Sequence, residues 1–332
     1  MSPVILNNSM DQEPVQEDPI EEQTNVLQYA GYGFATEYNP VDGKIWVVGG
    51  YNGSQRVGTA HRYSVSGNQM TYYDTITSFP IDCYGAATGM SSSGVMYILG
   101  PNTDSSIYGI NTCYKWTGSG WTTVASAANG ASGTQSVTIG TKIYVVGGYH
   151  NQQQGRYDRL DYFDMSNDSW NVVDTSAPGA GGTYRNGPCA GGVVYDGTYL
   201  WQIGGVTQDD VSYTRNNRYD IAGDSWNTSL GTTGHPTTAY ANRWYGHQSV
   251  YRNGYIYSIG KVVGSLYRTL YVYKIANNTW YSYANWAPVG MGVYYETVVL
   301  GNLWFLIGGY DYTGRGVLDS IYTIDMTQFP TP

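Results

Sequence analysis

Before Lys44 the chain holds no lysine or arginine, and over its whole length it has only five lysines, five phenylalanines and three cysteines. Charged residues make up 12% of the 332 positions. Asp11, Glu13, Glu17, Asp18, Glu21, Glu22, Glu37 and Asp42 carry eight units of the formal −9, so beyond position 43 acids and bases nearly cancel. That balance leaves no basic footprint for nucleic acid. Cys83, Cys113 and Cys189 are odd in number and widely spaced, which suggests free thiols rather than a disulfide framework. No run of eighteen apolar residues occurs, which excludes a helical membrane span. The opening MSPVILNNSM lacks the basic region and apolar core of a secretory signal. The four histidines, His61, His150, His235 and His247, include no short-spacing pair. No GxSxG, HExxH, P-loop or EF-hand pattern appears, so neither a metal nor a cofactor is expected.

Glycine and tyrosine are abundant instead, at 44 and 35 residues, and long amphipathic helical stretches are missing. Apolar runs ending in glycine recur as KIWVVGG, VMYILGP, KIYVVGG, YLWQIGG, YIYSIGK and LWFLIGG. Their first glycines are Gly49, Gly100, Gly147, Gly204, Gly260 and Gly308. The period is about 52 residues, in the range of propeller blades. A second spacing is locked to the first, with tryptophan seven residues after an aromatic: Tyr114 and Trp121, Phe163 and Trp170, Tyr219 and Trp226, Tyr273 and Trp280. Only Tyr63 meets a methionine, Met70. Pro101 and Lys261 replace the second glycine, so only the first is expected to need a positive φ in every copy.

These runs, diglycines and aromatic pairs resemble the kelch repeat, over roughly residues 25 to 325. The resemblance implies an all-β, six-bladed propeller of four-stranded blades, with the four tryptophans at equivalent buried positions. It also admits sugar enzymes. Galactose-oxidase-like copper chemistry needs two histidines and two tyrosines, one of them joined to cysteine, and no such set is visible here. The segments NDSW and GDSW lack the full sialidase box.

The last copy reaches its third strand at LDSIYTID and leaves only MTQFPTP, too short for a fourth. Closure is therefore expected from TNVLQYA, residues 24 to 30, the only β-prone run before the first approach strand; a register pairing Tyr322 with Phe329 is the alternative. The chain thus divides into an acidic arm, 1–23, and a propeller, 24–332. With three prolines and few large apolar groups, the arm has no core of its own. Asp11, Glu13, Glu17, Asp18, Glu21 and Glu22 are its candidate contacts to a neighbouring subunit of a larger assembly.

The loops of one rim read differently, being rich in Tyr, Trp, Asn, Gln, Ser, Gly and Arg in the manner of a paratope. Candidate ligand-binding residues there are Tyr51, Tyr149, Arg156, Tyr157, Tyr184, Arg185, Tyr213, Tyr240, Trp244, Trp286, Tyr310, Tyr312 and Arg315. The expected protein is a non-enzymatic binding or structural propeller that recognises a surface glycan or a protein. Its surface composition resembles tail and fibre proteins of tailed phages, which places it in a virion, with the cytoplasm as the alternative. A kelch-type sugar enzyme, of the oxidase or sialate mutarotase class, and a cellular kelch adaptor are the rival functions.

Overall fold

The apolar runs are the second strands of six four-stranded antiparallel sheets. The structure is a computed structural model. It describes residues 19–103, 109–127, 133, 135–150, 155–156, 160–174, 191–205, 216–230, 246–260, 269–287, 293–312 and 314–332, with the backbone alone at 149, 150, 155, 156, 174 and 229. From inner to outer strand, blade 1 is Ala35–Asn39, Lys44–Val48, Ala60–Ser66 and Gln69–Ile76. Blade 2 is Ala87–Met90, Met96–Leu99, Cys113–Trp116 and Trp121–Val124, and blade 3 is Gln135–Ile139, Lys142–Val146, Leu160–Asp164 and Ser169–Asp174. Blade 4 is Gly192–Tyr195, Tyr199–Ile203, Asn216–Asp220 and Ser225–Leu230, and blade 5 is Gln248–Arg252, Tyr255–Ile259, Leu270–Lys274 and Thr279–Tyr283. Blade 6 is Glu296–Leu300, Leu303–Ile307, Ile321–Asp325 and, from the other end of the chain, Ile20–Gln23.

Each second strand is sandwiched between neighbouring blades, which is why its apolar residues run without alternation. Ile45, Val48, Ile98, Ile143, Leu200, Ile256 and Ile307 are all fully buried. Inner strands do alternate. Ala35 packs toward blade 2 with Met90 and Ile98, whereas Tyr38 packs toward blade 6 with Phe305 and Val298.

The aromatic pairs fall opposite one another in the outer hairpins: Phe163 faces Trp170, Tyr219 faces Trp226 and Tyr273 faces Trp280. Blade 2 is offset, with Trp121 opposite Trp116 and Tyr114 opposite Thr123. Only Trp280 is buried; Trp121, Trp170 and Trp226 are half-buried, which corrects the expectation of four equivalent buried positions. The outermost strand has solvent along its free edge, so the indole covers a neighbour instead of entering the core. The Trp121 N–H donates to Thr77 O at 3.1 Å and the Trp170 N–H to Ala125 O at 3.0 Å, each joining its blade to the one before.

The ring is closed from the N-terminus, but by residues earlier than the expected run 24 to 30. Ile20–Gln23 pairs with Ile321–Asp325, so Glu21 and Glu22, grouped with the arm by charge, lie in a blade. Ile20 and Gln23 are buried there. The apolar residues of the expected run pack instead across the junction of blades 6 and 1, where Leu27 is buried with Val26 and Tyr29 against it. The C-terminus does not close the ring. Phe329 stacks on Tyr257 at 4.0 Å after a short turn of 3₁₀ helix at Met326–Gln328.

Candidate functional site

Each inner strand starts, and each second strand ends, on the same face of the ring, and around blades 6, 1 and 2 the described segments beside them come together at one mouth. The diglycines are the means of that approach. A Cβ on Gly49 would lie 2.7 Å from Cys83 O, and one on Gly50 would lie 2.6 Å from Phe34 Cδ1. Both glycines take positive φ in blade 1, at 69° and 99°, and the second does so also at Gly148, Gly205 and Gly309. The second glycine is thus a conformational need in four blades, beyond being merely small.

A further special position lies two residues before the inner strand. Gly33, Gly85, Gly133 and Gly246 occupy it in blades 1, 2, 3 and 5, with φ of 65°, 63°, 65° and 64°. Backbone bonds run between them: Gly85 N–H donates to Gly33 O at 2.8 Å and Gly133 N–H to Gly85 O at 2.9 Å. Blade 6 puts Tyr294 there, keeps φ at 58°, and donates its N–H to Gly246 O at 2.9 Å. An aromatic residue held in the left-handed region is strained, and such strain gathers at functional sites.

The Tyr294 ring stacks on Tyr32, with centroids 5.8 Å apart. Tyr51, Tyr84 and Tyr310 surround the same Tyr32 at 5.5, 6.2 and 6.0 Å, and Tyr312 meets Tyr310 edge-on at 4.6 Å. Backbone bridges pin the cluster, Tyr32 to Tyr51, Tyr84 to Asn102 and Val293 to Tyr310. Arg56 lays its guanidinium 5.0 Å over Tyr84 while donating to Asn102 Oδ1. Burial pushes the Tyr32 phenol up to about 12, so it stays neutral.

The inner strands carry polar residues down from this mouth. The first position of each inner strand is Ala35, Ala87, Gln135, Gly192, Gln248 or Glu296. The Gln135 amide donates to Gln248 Oε1 at 2.7 Å and accepts from Val193 N–H at 3.1 Å, spanning three blades. Gln248 in turn donates to Tyr295 O at 2.6 Å. His247 is fully buried and accepts from Gly192 N–H at 3.0 Å, tying blade 5 to blade 4.

Two carboxyls stand out beside blade 1. Glu37, third in its strand, accepts a bond from the Thr88 hydroxyl of blade 2 at 2.9 Å. Desolvation raises its carboxyl to about 7, against the opposing pull of that bond. Glu296 is raised well above the usual carboxylate range, by burial first and by the Glu37 charge second. Both are half-buried on inner strands, which surround the central channel of a propeller.

Of the expected rim residues, Tyr51, Tyr310 and Tyr312 come together in the tyrosine cluster. Tyr149 and Arg156 pair in a two-residue ribbon whose side chains are not described. Trp286 packs inward near Phe329, 5.6 Å away, on the cluster between blades 5 and 6. Arg315 is bound within blade 6, donating to Glu22 Oε1 at 2.6 Å, to Asp311 Oδ2 at 3.2 Å and to Tyr322. Tyr157, Tyr184, Arg185, Tyr213, Tyr240 and Trp244 lie outside the described residues, as do Asp11, Glu13, Glu17 and Asp18 of the arm. Tyr32, Tyr84, Tyr294 and Glu296 carry no signal within their own blades, and Glu37 reads only as one of the acids before Lys44. A repeat alignment holds the signal for the mouth: Tyr-Gly precedes the inner strand at Tyr32-Gly33, Tyr84-Gly85 and Tyr245-Gly246, and blade 6 breaks the glycine with Tyr294.

Sheet order, blade number and a polar mouth on one face define a six-bladed β-propeller. The Kelch motif family model matches residues 40–69 and 130–175, within blade 1 and across blade 3, and the chain is accordingly a propeller carrying Kelch motifs. It is similar to a solved structure titled "Structure of YjhT", with a TM-score of 0.70 and 15% identity over 90% of this chain and 95% of that one. At that identity the likeness is one of fold. A comparison with curated proteins returns no match.

Proposed function

We propose that this propeller is a recognition module that receives a surface glycan or protein receptor at the tyrosine mouth of blades 6, 1 and 2. The observation that supports this most is Tyr294, a strained aromatic where four other blades have glycine, aimed onto a cluster of five further tyrosines. Tyrosine offers broad contact area with little rotamer freedom to lose, and suits both sugar rings and protein side chains. The low-charge composition favours a virion component, a tail, fibre or decoration protein, with the acidic segment before Ile20 as the tether to a neighbouring subunit.

Binding of the full chain to the surface of its host cells, compared with Tyr51→Ala/Tyr312→Ala, tests the reading. Loss of at least about tenfold in affinity is expected for two aromatic contacts, and unchanged binding counts against it. Mass spectrometry of purified particles tests the virion assignment. The raised carboxyls Glu37 and Glu296 favour a second reading, a sugar-converting enzyme with an acid and a base in the channel. Turnover abolished by Glu37→Gln or Glu296→Gln would establish it.

A further inference from the structure

We infer that the mouth of blades 6, 1 and 2 takes a ligand bearing an organic ammonium, received on tyrosine faces and neutralised by the Glu37 and Glu296 carboxyls. The inference rests on the recognition reading above and specifies the ligand's chemistry.

The first support is the set of faces. Aromatic rings present negative charge above their planes, and cations on ligands are bound that way. The mouth already does so within its own chain, since the Arg56 guanidinium lies over Tyr84. Tyr32 precedes its inner strand by three residues and Tyr294 by two, so both lie at the end of the ring where the inner strands begin, with their rings stacked. Tyr294 is the telling member. Nothing in the backbone asks for a side chain there, because Gly33, Gly85, Gly133 and Gly246 adopt the same φ without one.

The second support is the carboxyl pair. A charge withdrawn from water is paired as a rule, yet no described lysine or arginine is bonded to either of these half-buried acids. Against Glu37 stand Thr88 from blade 2, Trp46 opposite it in the second strand of blade 1, and Glu296. Against Glu296 stand Ile307 opposite it in register and Glu37, and among the described residues its carboxyl makes no hydrogen bond. Ser136 bonds the backbone of Thr88, and Gln135 and Gln248, at the starts of the inner strands of blades 3 and 5, bond one another, all of them neutral. Withdrawal from water without a counterion favours the protonated form of both carboxyls, so a ligand ammonium would bind in competition with protons.

Proton competition makes the inference testable. Choline keeps its charge at every pH, and 3,3-dimethylbutan-1-ol is its neutral isostere. Titration calorimetry of the full chain should show choline binding that tightens about tenfold between roughly pH 5.5 and about 8, as Glu37 gives up its proton, with no such change for the isostere. Glu37→Gln/Glu296→Gln should remove the pH dependence. Tyr294→Gly should weaken choline binding while melting cooperatively, since glycine is what the other blades carry. Equal affinity for the isostere, pH-independent choline binding, or no binding at the higher pH would each overturn the inference. If choline fails while receptor binding still needs Tyr51 and Tyr312, the ammonium is wrong and the recognition reading stands. If choline binds as described and no receptor is recognised, the ammonium site stands and that reading falls.

Discussion

Tyr294 separates two demands that usually coincide at one position, the backbone's and the side chain's. At φ 58° the backbone favours glycine, while the ring stacked on Tyr32 needs an aromatic. Replacing it should therefore reverse the ordinary order of glycine and alanine. Neither Tyr294→Gly nor Tyr294→Ala keeps the ring, but alanine retains a Cβ in the left-handed region, at a cost of about 1–2 kcal/mol. Denaturant unfolding should find Tyr294→Gly the more stable of the two by about that margin; the opposite order would mean the loop relaxes. This residue was legible in the sequence only after the repeats were aligned by inner strand instead of by diglycine. Glu37 was hidden for another reason. Counted by charge, it joined an acidic N-terminal block, and nothing in a list of charges says that the strand Ala35–Asn39 borders a channel.

At the scale of the element, the instructive case is the closing strand. Ile20–Gln23 reads as part of an acidic tail because two of its four residues are glutamates. Its stability is tertiary, since a strand on the outer edge needs only backbone bonds on one side and partners for its side chains. Gln23 donates to Asn68 O at 2.6 Å, accepts from Met70 N–H at 2.9 Å and reaches Thr323 at 3.1 Å, so one side chain fastens blade 6 to the outer hairpin of blade 1. Glu22 closes a second fastening through Arg315 and the Tyr322 hydroxyl. The second strands, by contrast, were legible because apolar content alone fixes a strand covered on both faces. Truncation before Pro19 should leave the melting temperature within a few degrees of the full chain. Truncation through Gln23 should lower it sharply by baring the edge of Ile321–Asp325. Gln23→Ala should lie between, at about 2–3 kcal/mol for a buried amide whose partners are left unsatisfied. Equal melting of the two truncations would show that the ring holds without its fourth strand.

Across the whole molecule, the junction of blades 6 and 1 carries acids with opposite pH responses. Glu22 is held below the usual carboxylate value: burial works to raise it, and the bonds from Arg315, Tyr322 and Ser320 outweigh that burial. A depressed acid contributes stability above its unfolded pKa and loses it as pH falls through the folded value. Glu37 and Glu296 are raised, so between their unfolded and folded values the native state binds more protons than the unfolded chain. Their contribution is fully present below about 4.5 and is lost as pH rises, for Glu37 through about 7. For Glu37 alone this difference is at most about 3 kcal/mol, because its open side to the channel keeps part of its hydration. The ring should thus be most stable in mildly acid solution and loosen toward neutral and alkaline pH. Urea midpoints measured from pH 4 to 9 should fall on the alkaline side in the native chain. In Glu37→Gln/Glu296→Gln the fall should flatten, since neither amide can ionise, while the acid-side loss from Glu22 persists. A native profile that stays level from pH 5 to 8 would show both carboxyls to be hydrated as freely as surface acids. Because the same ionisation that weakens the closure prepares the channel for a cation, added choline should restore the lost stability at pH 8 and do little at pH 5.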